Sequence, residues 1–272
     1  MTQDIASALE VRLAVSAAEV RAAQALRYRI FYDNMGAEPS AAMKDEGRDF
    51  DRFDDYCDHL LVLDRSAGDG GKVVGTYRLL RRSRAERRCG FYSASEFDLS
   101  ALDGVAGEVL ELGRSCVDPD YRDRMVLQAL WQGIADYLME NRIVLMFGCA
   151  SFPGTDPDGM ALPLSYLAHY HAAPNAWRPR ALDKRYVRID RLPKDRIDVR
   201  AALREMPPLI KGYLRIGGVI GDGAVIDEVF NTTDVCLLVE TAGVPARYLR
   251  HYGARETVPT VAEAREPAWK SA

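Results

Sequence analysis

The sequence predicts an α/β protein built on a mixed sheet. Three observations carry this. Strand and helix patterns alternate along the chain, and IVLMFGCASF (143–152) is apolar almost throughout. HLLVLDR (59–65) and KVVGTYRLLR (72–81) flank the turn AGDGG (67–71) as a hairpin. A continuous apolar run is the mark of a strand buried on both faces, while a hairpin joins antiparallel neighbours. The order of strand and helix patterns along the chain reads as a mixed α/β sheet.

Each element has its own signal. VRLAV (11–15) alternates as a strand. Ser16 is a candidate N-cap with Glu19 three residues on, and Val20, Ala23, Leu26 and Ile30 recur at helical spacing, so an amphipathic helix is expected over 17–33. Residues 36–56 read as polar, acidic and irregular. EVLELGRSCV (108–117) is a further strand, and Met125–Asn141 a helix turning Leu127, Leu130, Ile134 and Leu138 inward. PLSYLAHYH (163–171) reads as a short helix and KRYVRID (184–190) as a strand. The stretch from Pro207 combines a helix, a glycine-rich turn and a last apolar strand, Val235–Glu240. GDGG (68–71) and GDGA (221–224) are too short for phosphate loops and read as turns, and Asn231 and Thr232 either end a strand or meet substrate. The organisation expected is a single domain over 1–254, with 191–234 as an elaboration before the last strand and 255–272 as a polar tail.

Composition bounds the function. Of 272 residues 48% are hydrophobic and 28% charged, as in a soluble globular protein with a real core. No apolar run approaches the roughly 18–20 residues of a membrane span, and MTQDIASALE lacks the basic flank and apolar centre of a signal peptide. A cytoplasmic location is expected. Cys57, Cys89, Cys116, Cys149 and Cys236 form no CxxC and are expected as small buried apolar groups, with no metal site and no disulfide. The net charge of −4 hides a local reversal: in YRLLRRSRAERR (77–88), Arg78, Arg81, Arg82, Arg84, Arg87 and Arg88 face a lone Glu86. This is either a solvated strand end or a docking patch for an acidic partner, whether a carrier protein, lipid headgroups or nucleic acid. Aromatic interleaving is thin, which places nucleic acid last.

Spacing then adds chemistry. Arg27-Tyr-Arg-Ile-Phe31 falls on the first helix, Asp51-Arg-Phe-Asp54 in the loop, Arg78 on the third strand, and Glu111-Leu-Gly-Arg114 on the fourth. In that order they resemble the motifs of acyl-homoserine-lactone synthases, which share the GNAT core. Over most of the chain, RYRIFYDNMGA, FDDYCDHLLV, ELGRSCVDPDYR, FGCASFPGTDP and PPLIKGYLRIGG resemble the ornithine–acyl-carrier-protein N-acyltransferase family. The resemblance implies a GNAT-like acyl-CoA N-acyltransferase fold whose mixed sheet has splayed central strands with the donor thioester between them. It implies transfer of a 3-hydroxyacyl chain from acyl carrier protein to the α-amine of L-ornithine, giving lyso-ornithine lipid, with no cofactor. It makes Glu111 and Arg114 catalytic, and Arg27, Phe31, Asp51, Asp54 and Arg78 substrate-binding. The alternatives are another acyl-carrier-dependent acyltransferase, such as a homoserine-lactone synthase, and a catalytically silent GNAT-like binding module.

The residue types suit amide formation. An amine attacks a thioester only after losing a proton, and Glu111 is either the base or an ion-pair partner of Arg78 or Arg114. Backbone N–H groups on its strand are candidate oxyanion donors. The acceptor carboxylate suits an arginine fork from Arg27, Arg78 or Arg114. A side-chain ammonium suits Asp51 and Asp54, with Asp222, Asp227 and Asp234 as alternatives; the other reading of the loop is a solvated acidic segment. Phe31 either walls a pocket or joins the core. Ser115 and Cys116 lack a nucleophile elbow and His59, His169, His171 and His251 form no triad, so no acyl-enzyme is expected. Where coenzyme A enzymes of this fold carry R/Q-x-x-G-x-G/A, Arg122-Asp-Arg-Met-Val-Leu127 puts Met125 and Leu127 in place of the glycine and the small residue. Side chains there hold the backbone away from a pyrophosphate, and Asp123 repels it. Acyl carrier protein is therefore the expected donor, with Arg81, Arg82, Arg84, Arg87, Arg88 and Arg122 as docking candidates. Peripheral contact with the inner membrane is expected only because the product is a lipid.

Overall fold

The computed structural model describes residues 8–68, 70–88, 90–121, 124–244 and 260–261. Arg122, Asp123, Cys89, His251 and the polar tail, apart from 260 and 261, lie outside the described residues. In chain order the elements begin with β1 (Leu9–Leu13), α1 (Ala17–Tyr28) with a π-helical turn Arg29–Asn34, α2 (Ala41–Glu46), β2 (Asp58–Asp64), β3 (Lys72–Arg81) and α3 (Arg82–Ala85). There follow β4 (Phe97–Asp98), β5 (Glu108–Val117), α4 (Arg124–Glu140), β6 (Ile143–Pro153) and α5 (Ala161–Tyr170). β7 (Arg180–Ala181), α6 (Val199–Glu205), α7 (Pro208–Leu214), β8 (Val219–Asp227) and β9 (Thr232–Glu240) complete the series. Contacts group the described residues into two units, the first built from the segments within 8–90 and 112–141, the second from those within 91–111 and 142–244.

In the first unit β1, β2 and β3 are antiparallel neighbours, and the second half of β5 lies beside β3. Helix α1 starts where Ser16 Oγ accepts the Glu19 N–H at 3.3 Å, and it buries Ala23 and Leu26 against the sheet. Arg78 faces the α1 side and Gly75, three residues earlier, the α4 side, as strand alternation requires. A Cβ at Gly75 would stand 3.0 Å from Val126 Cγ1, so α4 packs directly on the β3 backbone. Val126, Leu130, Ile134 and Leu138 are buried in that helix, whereas Leu127, expected inward, is 45% exposed. The buried row advances four residues at a time from Val126, which puts Leu127 about 100° off it.

In the second unit the first half of β5 runs parallel to β6, from Glu108↔Ile143 to Glu111↔Phe147. β9 pairs antiparallel with β6 over its whole length, from Leu145↔Glu240 to Pro153↔Thr232, and with β8 on its other side. Phe97, Val109, Leu145, Phe147, Val225, Cys236 and Leu238 form the core of this unit.

Three elements differ from expectation. The irregular 36–56 segment contains α2, capped by Ser40 Oγ and closed by Gly47 at φ 60°. The GDGA stretch is not a turn: it lies within β8, where the register shifts between Ile220 and Ala224 and Gly223 takes φ 79° under the Tyr186 ring. That bulge breaks the ladder beside it, so KRYVRID forms no strand and meets the sheet through a single bridge, Val187↔Ala224. A short strand appears instead at Arg180–Ala181.

Gly133 is the tightest contact of α4: an added Cβ would stand 2.7 Å from Val11 Cγ2 and 2.9 Å from Leu60 Cδ1. Overpacking costs about 1–3 kcal/mol and exceeds the roughly 1 kcal/mol of helix propensity gained over glycine. Gly133→Ala is therefore expected to lower the urea midpoint; an unchanged or raised midpoint refutes the close packing.

Candidate active site

The first unit brings together five charged residues singled out by sequence: Arg27, Asp51, Asp54, Arg78 and Arg114. Arg27 is fully buried on α1. Its Nε donates to Asp49 Oδ2 at 2.7 Å, and its Nη2 to the Asp49 carbonyl at 2.6 Å and to Asp54 Oδ2 at 3.1 Å. Arg78 Nη1 donates to Asp51 Oδ1 at 2.7 Å and lies 3.6 Å from Asp54 Oδ2. Arg114 reaches Asp49 at 3.4 Å and Asp51 at 3.5 Å. The loop turns tightly enough for the Asp51 N–H to donate to Asp54 Oδ2 at 2.8 Å, so the two carboxylates converge on the arginines. Burial alone raises the Asp54 carboxyl, but the guanidinium groups of Arg27 and Arg78 outweigh it and hold it below the usual range.

Sequence reasoning missed Asp49 and Tyr32. Asp49 stands two residues before Asp51 in the same acidic run, and Tyr32, on the π-helical turn, donates its hydroxyl to Asp49 Oδ1 at 3.0 Å. Burial, then the Asp49 carboxylate, raises the Tyr32 phenol and keeps it a donor. Phe31 is buried beside it. Arg114 and Asp51, with side chains 13% and 21% exposed, are the open edge of the network. Arg114 also takes φ 51°, a left-handed conformation uncommon for a side-chain-bearing residue inside a strand.

Glu111 belongs to the second unit and is 5% exposed. Its Oε1 accepts the Ser93 N–H at 2.7 Å and its Oε2 the Tyr92 N–H at 2.8 Å, both from the first turn of the 3₁₀ segment Tyr92–Ser95. Both oxygens are thus held by backbone donors, which fixes the carboxylate's orientation. Beside it Cys149 Sγ lies 3.3 Å from Ser93 Oγ and 3.2 Å from Glu96 Oε2, so this cysteine is not the apolar filler expected; Cys57, Cys116 and Cys236 are buried. Burial, then the Asp234 carboxylate, pushes Glu96 up to about 7.

The arginine-rich stretch is largely engaged. Arg81 donates to Asn141 at 2.8 Å, Arg84 to Asp58 at 2.8 Å, Arg82 lies 4.0 Å from Glu86, and Arg88 sits over the Tyr56 ring. Arg87 and Arg88 are exposed.

Residues 26–132 match the model of an acetyltransferase (GNAT) domain, and with the mixed sheet this defines an acyltransferase of that fold. FeeM, an N-acyl amino acid synthase from uncultured soil microbes, superposes with a TM-score of 0.50 at 10% identity, covering 86% of this chain and 91% of that one; this likeness concerns the fold alone. Among curated proteins, the L-ornithine N(alpha)-acyltransferase of Brucella abortus is 49% identical over 90% of this chain and 89% of its own length. That of Agrobacterium fabrum is 48% identical over 90% and 85%. The chain belongs to the L-ornithine N(alpha)-acyltransferase family.

Removing Arg27 leaves buried carboxylates uncompensated, a loss of about 3–5 kcal/mol. Arg27→Ala is expected to melt well below the wild type. Because the folded Asp54 value is depressed, its stabilisation is present above about pH 4 and fades as the pH falls through the ordinary Asp range toward the folded value. Asp54→Asn should flatten that acid limb of the denaturation curve; an unchanged limb places the acid sensitivity elsewhere.

Proposed function

We propose that the protein transfers a 3-hydroxyacyl chain from acyl carrier protein to the α-amine of L-ornithine, forming lyso-ornithine lipid and opening ornithine lipid synthesis. The acceptor and the amine follow the names of its relatives. The observation that carries the chemistry is Glu111, a buried carboxylate held by two backbone N–H groups on the strand where the resemblance places the catalytic glutamate. Glu111, directly or through a water, takes the proton of the attacking amine, and the two amides keep it aimed while it does so. Arg114, at the open edge of its network and the more accessible of the three arginines, suits an anionic substrate group. Arg27, Asp54 and Arg78 hold that edge in place, with Asp51 beside Arg114, while Phe31 is buried on the π-helical turn next to Tyr32.

The carrier-protein donor is supported by Met125 and by Leu127, whose exposed side chain occupies the helix start that a pyrophosphate-binding loop keeps clear. Exposed Arg87 and Arg88 offer contacts for an acidic carrier. No described helix is long and apolar enough to cross a membrane. Exposed Val199, Leu203 and Leu209 on α6 and α7, beside Arg200 and Arg204, favour peripheral contact with an anionic bilayer by a protein whose product is a lipid.

Purified protein incubated with 3-hydroxyacyl carrier protein and ornithine should give the N-acyl product by mass spectrometry, and much less with the matching acyl-coenzyme A. Equal product from coenzyme A defeats the carrier-protein donor, and product with S-adenosylmethionine in place of ornithine defeats the acceptor. Glu111→Gln should lower kcat/KM by about 10²–10⁴-fold with folding intact; near-normal turnover would remove Glu111 from the mechanism.

A further inference from the structure

In a paired sheet, residues in register share a face, and successive residues alternate. Phe147, Cys149 and Ser151 of β6 therefore stand on one face with Leu238, Cys236 and Asp234 of β9. Glu111, paired with Phe147, belongs to that face, as does Asp227, paired with Thr232. The face is apolar at Phe147 and Leu238, which enter the core, and turns polar from Cys149 onward. Polar groups in a row where packing calls for apolar ones mark a functional place.

The polar end is short of positive charge. Burial and the mutual repulsion of Glu96, Asp227 and Asp234 raise the first and last of these, with Arg185 as the opposing cation, its Nη1 3.7 Å from Glu96 Oε1. The ligating atoms of Glu96, Cys149 and Asp234 all lie within 4.8 Å of one another. Asp234 is 6% exposed, and its Oδ1 makes no hydrogen bond although the Ser151 and Thr232 hydroxyls approach the carboxylate. A buried carboxylate oxygen without a donor is costly, and a cation arriving from outside would supply one. Half-buried Cys149 and exposed Ser151 give the group its way to solvent.

We propose that Glu96, Cys149 and Asp234 form a subsite for a primary ammonium group, the side-chain amine of a basic amino-acid acceptor. This rests on the acceptor reading given above. An ammonium brings three donors and one positive charge to a place where carboxylates outnumber the single cation, Arg185, and where Asp234 Oδ1 has no donor. Cys149 stands two residues beyond Phe147, about 7 Å along the strand from the position beside Glu111. An acceptor whose α-amine meets Glu111 therefore brings its second amine, on a short methylene chain, toward Glu96. Burial and Glu96 raise the Cys149 thiol well above its ordinary value, which suits an organic cation better than a metal ion that requires the thiolate.

The test compares ornithine with norvaline, which lacks the terminal amine, as acceptors and, by calorimetry, as ligands. Wild type, Glu96→Gln and Asp234→Asn are used, each checked by thermal melting. The wild type is expected to prefer ornithine by at least about 100-fold, and each variant to cut that preference at least about tenfold through kcat/KM and binding of ornithine. A preference that survives both substitutions overturns the subsite. So does a stoichiometric divalent metal held by the wild type and lost in the variants. Ornithine binding that depends on Glu96, without acyl transfer by the wild type, overturns the function proposed above and upholds the subsite. Transfer that does not discriminate against norvaline overturns the subsite alone.

Discussion

A guanidinium keeps its proton in any protein interior, and Arg27 has no exposed surface at all. The helix that carries it can pack on its sheet only if carboxylates follow it inside. Asp49 and Asp54 do so, and they draw the 49–54 loop against α1 and β3. Asp51 then meets Arg78 and Arg114. The result is a balanced set, Arg27, Arg78 and Arg114 against Asp49, Asp51 and Asp54. An apolar replacement of similar volume can stabilise a fold as well as buried ions do. The gain from ions is therefore positional: a loop without regular structure is held to within hydrogen-bond tolerance, and one edge of the set stays accessible.

The second unit handles charge in the opposite way. Its sheet face runs from an apolar core at Phe147 and Leu238 to carboxylates that outnumber the cation beside them. Where the first unit sets Asp49, Asp51 and Asp54 against three arginines, on this face burial and the neighbouring Asp234 carboxylate push Glu96 up to about 7. Glu111 is the exception on the face. Two backbone amides donate to its two oxygens, so the carboxylate is fixed in direction before it works.

Strand and helix positions were largely legible in the sequence. KVVGTYRLLR and EVLELGRSCV became strands over the residues their patterns marked, and the capped helix after Ser16 began where its hydroxyl and Glu19 placed it. Motif spacing also brought Arg27, Asp51, Asp54, Arg78 and Arg114 into one group. The charge arithmetic of that group was not legible. Asp51 and Asp54 look like two free carboxylates in a polar loop, and only the approach of α1 and β3 turns them into partners of arginines. The bulge at Gly221–Gly223 escaped notice because its glycines read equally well as a turn, and with it went the expected strand at 184–190.

The sequence by itself determined most of the strands and helices, the family resemblance and the residues able to do acyl-transfer chemistry, because hydrophobic periodicity, caps and motif spacing are local properties. Tertiary structure alone decided which carboxylates are neutralised and which remain in excess. Asp49 joins Arg27 across twenty-two positions, and Cys149 meets Glu96 across fifty-three. Burial and proximity set the charge state of such groups, and neither exists until strands pair in register and helices close over them.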